Sequence, residues 1–166
     1  SLTCKEVFPL IKTNKMWLGN GFAAGNAFFR VEGNASIEYA DGVFDASTGL
    51  VKFRNCCWIT NMDHGRRHIP MTLMTMAANL TFNKKLKGQS EYYRYDNYDA
   101  IEVPVTSAIP SDYEGIMGVP ISFLDRYCPM QFEILGTEYD LNISKGRGYI
   151  NGQRKFSRIF IRHKKQ

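Results

Sequence analysis

The densest chemistry in the chain lies at Asp63-His64-Gly65-Arg66-Arg67-His68, where two arginines and two histidines share one turn after a strongly apolar run. A guanidinium presents a planar fork of donors, which suits phosphate oxygens or the edge of a base. A solvated hairpin tip would have the same composition, and the residue types leave both readings open. His64 and His68 stand four apart, the spacing of two metal ligands on one helix face, but Gly65 between them argues against a helix. No metal site is expected. A second cationic stretch carries Lys84, Lys85 and Lys87, then Arg94 among four tyrosines, Tyr92, Tyr93, Tyr95 and Tyr98. Lysines can follow a phosphate backbone while rings stack on bases, each stack contributing about 1–3 kcal/mol. The tyrosines can equally fold back on the core, and Asp96 and Asp99 give the later half of the stretch a structural character.

Other constellations point away from catalysis. Gly19-Asn20-Gly21-Phe22-Ala23-Ala24-Gly25 resembles a phosphate-cradling loop in composition, yet it precedes the strand-like Ala27–Val31 instead of opening a helix. A turn that uses glycine for tight geometry fits better, and a close approach of backbone to a ligand or DNA stays open. Cys4, Cys56, Cys57 and Cys128 have no paired C-x-x-C spacing and read as reduced packing thiols; the sequons at Asn34, Asn79 and Asn142 read as chance matches. Neither Ser-His-Asp nor Cys-His spacing, nor an acidic pair, can be picked out. No catalytic and no cofactor-binding residue is assigned.

The elements that must hold these residues are short. Thr3 and Glu6 have capping-box spacing, Leu2 and Val7 could staple it, and Cys4, Val7, Phe8 and Ile11 share a face, so a helix is expected over 3–13, shortened or kinked by Pro9. From Met16 the pattern turns to strands between Gly, Asn and Asp: Met16–Leu18, Ala27–Val31, Val51–Thr60, Ala100–Val105 and Gln131–Leu135, with Ala40–Asp45 and Leu73–Met76 weaker. Ile121–Tyr127 predicts a short second helix that stops before Pro129. Asn151-Gly152 between strand formers predicts a two-residue hairpin loop, with a further strand from Lys155 to Arg162. Asn83–Asn97 is expected to be a long exposed loop.

At 166 residues and 44% apolar content the chain can bury a core. It holds no apolar run of the roughly 18–20 residues that a spanning helix needs and no leader-like start, so a cytoplasmic, membrane-free protein is expected. Opening on Ser1-Leu2-Thr3 without an initiator Met, it reads as a piece of a longer protein. A net charge of +5 favours polyanionic partners, although plain solubility explains a modest excess equally well.

Longer strings carry more than these statistics. Lys5-Glu-Val-Phe-Pro-Leu-Ile-Lys12, Trp17-Leu-Gly19, Gly25-Asn-Ala-Phe28, Gly49-Leu-Val-Lys-Phe-Arg-Asn55, Trp58-Ile-Thr-Asn-Met-Asp-His64, Tyr95-Asp-Asn-Tyr-Asp-Ala-Ile-Glu102 and Gly115-Ile-Met-Gly-Val-Pro-Ile-Ser-Phe-Leu-Asp125 occur in this order. With Gln131-Phe-Glu-Ile-Leu-Gly136 and Arg158-Ile-Phe-Ile-Arg162, they closely resemble the adenine-specific DNA methyltransferases of the EcoRI modification-methylase family. The match is weakest over 70–92 and 137–148.

The resemblance implies methyl transfer from S-adenosylmethionine to the exocyclic amine of adenine, in a restriction-modification system. It places the cofactor segment and an Asn-Pro-Pro-Phe loop in a preceding catalytic half. Each of the six prolines here stands alone, so the chain by itself is expected to bind no cofactor and to be inactive. The fold implied is α+β, β-rich and mixed, with short helices packed on a mixed or antiparallel sheet: the C-terminal part of a doubly wound methyltransferase fold plus a target-recognition region. Residues 1–62 would close the methyltransferase domain and 63–166 would read double-stranded DNA. Candidate DNA contacts are His64, Arg66, Arg67, His68, Lys84, Lys85, Lys87, Arg94, Lys145 and Arg147. The alternative from another class is a free-standing nucleic-acid-binding module without activity.

Overall fold

A computed structural model describes residues 2–20, 25–30 and 43–165, excepting the side chains of 25, 26 and 53–56. The chain does not use Thr3 and Glu6 as a capping box. Residues 2–7 form turns, and helix α1 (Phe8–Lys12) begins later, behind Val7, with no side-chain cap. Pro9 explains the shift. It sits at the start of α1, where its missing N–H leaves no helical bond unmade, whereas a helix begun at Thr3 would have placed it inside.

β1 (Trp17–Leu18) is followed by β2 (Gly25–Arg30), β3 (Phe44–Asp45) and β4 (Leu50–Cys56), the last three forming an antiparallel sheet in the order β2-β4-β3. Residues 31 and 40–42 of two expected strands lie outside the described residues. The expected run Val51–Thr60 is two strands, because after β4 the chain leaves the sheet at Cys57 and Trp58 and then pairs β5 (Ile59–Thr60) with β1. Leu73–Met76 is not a strand. Thr75 caps a helix there, its Oγ1 accepting from Ala78 N at 3.2 Å, and the good helix formers behind it make α2 (Met76–Phe82).

The main body is built on four strands in the order β6-β7-β11-β8: β6 (Ile101–Glu102), β7 (Met117–Val119), β8 (Phe132–Thr137) and β11 (Ile159–His163). β6 runs parallel to β7, and β11 lies antiparallel to both β7 and β8. Between β8 and β11, β9 (Tyr149–Ile150) and β10 (Gln153–Arg154) form the expected hairpin, with Asn151 and Gly152 at φ 51° and 73°. This is the β-rich mixed α+β fold expected, with a mixed central sheet. Ile121–Arg126 is helical as expected, wound as a 3-10 helix. β11 is shorter than Lys155–Arg162 because 155–158 remain outside it.

Alternation divides the sheet into two faces. Ile101, Met117, Val119, Phe132, Ile134, Ile159 and Ile161 point into one core, which Phe8 and Ile11 of α1, Phe123, Leu86 and Tyr92 cover. Phe160 points the other way, into a second core with Tyr95, Ala100, Ile143 and Ile150. Asn83–Asn97 lacks regular structure, as expected, but is not a loose loop: Leu86, Tyr92 and Tyr95 are buried, and Tyr92 donates to Ala108 O at 2.7 Å. Burial raises the Tyr92 phenol to about 12. Among the described residues no helix is long and apolar enough to cross a membrane.

Tyr95 closes the second face. Its ring lies against Gly118 and Gly148, and its hydroxyl donates to the buried Glu102 carboxylate. Arg158 Nε donates to the same carboxylate at 3.0 Å, and Glu138 accepts from Arg158 N at 2.8 Å. Burial, reinforced by the Glu102 charge, holds the Tyr95 phenol far above its ordinary range. A Cβ on Gly148 would come within 2.5 Å of the Tyr95 ring. Gly148→Ala is therefore expected to cost about 1–3 kcal/mol of stability in urea titration. An unchanged midpoint would show that the ring is not wedged there.

Candidate nucleic-acid interface

The turn expected at 63–68 forms as a 3-10 turn over Gly65–His68. Its four candidate side chains do different work. Arg67 is turned inward, 10% exposed, with its guanidinium carbon 3.4 Å from the centre of the Trp17 ring. It donates to Asp63 at 2.9 Å and to the Asn14 side chain. His64 Nε2 meets Leu18 O at 2.8 Å, and Trp17 Nε1 donates to Met62 O at 2.9 Å. Arg67 and His64 thus fasten the turn to β1. His68 contacts Asp63 at 2.9 Å, and hydrogen bonds from His68 and then Arg67 hold the Asp63 carboxyl down at about 2.

Arg66 faces out. It pairs with Asp125 at 2.9 Å across a half-exposed contact that solvent screens. The same side chain lines a cleft of 510 Å³ with Met71, Leu73, Thr106, Ser107 and Arg126. Gln131 fixes the extended segment in its wall, donating to Met71 O at 2.9 Å and accepting from Met71 N at 2.8 Å. Arg126 is exposed and has no carboxylate partner among the described residues. Sequence reasoning missed it, since nothing in Ile121–Tyr127 announces that its last turn meets Arg66.

The lysine turn is tied to the cleft wall at one point. Asn83 Nδ2 donates to Ser107 Oγ at 3.4 Å, and Leu86 is buried, so the turn between them is anchored while Lys84, Lys85 and Lys87 stay exposed. Arg94 lies elsewhere, bridged to Ile101 at the β6 edge and paired with Asp99. Lys145 and Arg147 stand beside the second core, their cations 5.1 Å from the Tyr149 ring and 5.9 Å from the Tyr139 ring. The structure therefore brings Arg66 and Arg126 to one cleft, ties the lysine turn through Asn83 to Ser107 in its wall, and leaves Arg94, Lys145 and Arg147 at other places.

The family model described as adenine-specific methyltransferase EcoRI matches residues 1–164. The chain belongs to that family. It is 38% identical over 168 residues to the Type II methyltransferase M.EcoRI of Escherichia coli, a match covering 99% of this chain and 48% of that protein. It is 28% identical over 178 residues to the Type II methyltransferase M.MgeORF184P of Mycoplasma genitalium, covering 98% and 54% of the two chains. With M.MpnI of Mycoplasma pneumoniae the identity is 27% over 176 residues, covering 96% and 52%. The chain spans about half the length of these curated relatives. No solved structure matches.

A methyltransferase family implies the use of S-adenosylmethionine in general. The glycine-rich run, of which 21–24 lie outside the described residues, leads at Gly25 into β2, not into a helix whose N-terminal amides could face a nucleoside cofactor.

The geometry separates the two arginines of the turn by role. Arg67→Ala should lower stability by about 1–3 kcal/mol, since it removes a largely covered side chain together with its hydrogen bonds to Asp63 and Asn14 and its cation–π contact with Trp17. Arg66→Ala should change it by less than about 1 kcal/mol. Equal losses in chemical denaturation would refute this division.

Proposed function

We propose that this chain is the DNA-binding and target-recognition part of an S-adenosylmethionine-dependent, adenine-specific DNA methyltransferase of a restriction-modification system. The observation that carries the reading is the sequence relationship over residues 1–164 to proteins about twice as long. Duplex DNA is the partner, entered from the Arg66–Arg126 cleft, with Lys84, Lys85 and Lys87 on flanking phosphates and His68 at its margin. Arg66 is 39% exposed beside Asp125, so a phosphate can approach its guanidinium from the solvent side. Arg67 and His64 serve by shaping the turn. Arg94, Lys145 and Arg147 would reach DNA only outside the cleft.

Residues 1–62 close the methyltransferase domain in this reading, and 63–166 carry recognition. The division is functional: Phe8 and Ile11 pack in the same core as Phe132 and Ile161, so the two stretches share their interior. Methyl transfer, cofactor binding and the Asn-Pro-Pro-Phe loop belong to a catalytic half that precedes these residues in the whole protein, which acts in the cytoplasm.

Two measurements test the reading. Affinity of the chain for duplex DNA should fall as salt rises, with a log–log slope of about 0.9 per neutralised phosphate. The Lys84→Ala, Lys85→Ala double variant should flatten that slope by about one to two units. A wild-type affinity indifferent to salt would sink the proposal. Separately, the chain supplied with radiolabelled S-adenosylmethionine and duplex DNA should transfer no label. Methylated adenine in that reaction would overturn the assignment of chemistry to the other half.

A further inference from the structure

The segment between the arginine turn and α2 walls the Arg66–Arg126 cleft, yet among the described residues it pairs with no strand. Its burial alternates as a strand's would. Met71 and Leu73 pack against the first core, while Thr72 and Met74 are exposed and line the cleft. A run of this kind is normally held by a neighbouring strand, which satisfies its N–H and C=O groups. Here the main chain is fastened at two ends, where Ile69 N donates to Arg66 O at 3.3 Å and Met74 O accepts from Ser111 N at 2.9 Å. Between them, among the described residues, a single side chain stands in for the missing strand.

That side chain is Gln131. Its Nε2 donates to Met71 O at 2.9 Å and its Oε1 accepts from Met71 N at 2.8 Å. A carboxamide has a donor end and an acceptor end, so it meets both main-chain groups of one residue, as the facing residue of an antiparallel pair does. The orientation of the amide follows, since the reverse would set oxygen against oxygen. Gln131 is itself held at the sheet: its N donates to Cys128 O and its O accepts from Lys164 N, both at 3.0 Å, directly before β8 and directly after β11. The wall is thus referred to the central sheet by a residue 60 positions away. Gln131 also stands behind the wall. It does not line the Arg66 cleft but a separate one of 250 Å³, shared with Met71, Leu73 and Lys164.

We propose that Gln131 is a positioning residue for DNA binding: from behind the wall it holds Met71, so that Thr72 and Met74 keep a fixed place beside Arg66 and Arg126. This rests on the cleft reading above and adds to it the group that shapes the cleft. Arg66 has its own anchor, because His64 and Arg67 fasten its turn to β1. A wall without Gln131 would have to be ordered each time DNA binds, and that ordering subtracts from affinity.

The test measures duplex affinity and urea midpoint for Gln131→Met, which keeps length and bulk but removes both bonds. Affinity of the folded variant should fall about 5-fold or more. The same substitution should have little further effect in an Arg66→Ala background, where the contact beside the wall is already lost. It should keep its full effect with Lys84→Ala and Lys85→Ala, since that turn is tied at Ser107 and not at Met71. A role in stability alone would lower the midpoint and leave the affinity of the folded chain as it was. Unchanged affinity, or an equal loss in every background, overturns the positioning role, and the cleft reading then stands on the effect of Arg66→Ala. If Arg66→Ala and the lysine variant both bind like the unaltered chain, the cleft reading falls and this one with it. Hydrogen exchange tests the tether with no substitution at all: the Met71 amide should be protected although it lies in no sheet, and exchange at the rate of an open loop would refute the tether.

Discussion

Tyr95 is the piece on which the arrangement of the second face depends. Its ring fills a slot that exists because positions 118 and 148 carry no side chain, and its hydroxyl completes the coordination of Glu102. Glu102 belongs to β6, Arg158 to the approach to β11, and Glu138 follows β8, so one buried polar group ties together strands far apart in sequence. A carboxylate removed from water is tolerated only when its lone pairs are satisfied, and losing one partner of such a pair typically costs about 3–5 kcal/mol. The network therefore makes alternative registers of this sheet expensive.

From that anchor the basic surface inherits its shape. Asp96 and Asn97, directly after Tyr95, hold the 144–152 strip by hydrogen bonds to Asn151, Gly152, Ser144, Arg147 and Tyr149. Lys145 takes a positive φ of 62° within this strip, a conformation a non-glycine residue keeps only where its surroundings fix it. The cations here are presented on constrained backbone, as are those beside Asn83. At the first face the same economy applies to Arg67, whose charge is spent on Asp63, Asn14 and Trp17 so that Arg66 next to it faces outward.

Much of this was legible in sequence where the signal is local. Asn151-Gly152 demanded a hairpin, Pro9 limited α1, and the strand expected after the hairpin over Lys155–Arg162 corresponds to β11. Signals that depend on tertiary pairing were not. Met117–Val119 reads as part of a glycine- and proline-broken stretch and becomes a strand because β6 and β11 flank it. Leu73–Met76 looks strand-like until Thr75 is seen capping the residues after it. The cationic residues were found by type, but their sorting into an inward Arg67, an outward Arg66 and an unannounced Arg126 depends on Trp17 and Asp125, which are distant in sequence. The family relationship was legible because long ordered strings carry information that no single spacing does.

β11 lies between β7 and β8, although it follows both in the chain. Until Ile159–His163 is available, β8 has no partner strand and β7 is paired only with β6, so each waits with an edge unpaired. Pairings of such long sequence separation are slow to form because the loop must close before any contact rewards it. A chain synthesised only as far as the residues before β11 would therefore expose unpaired, apolar strand edges that invite association.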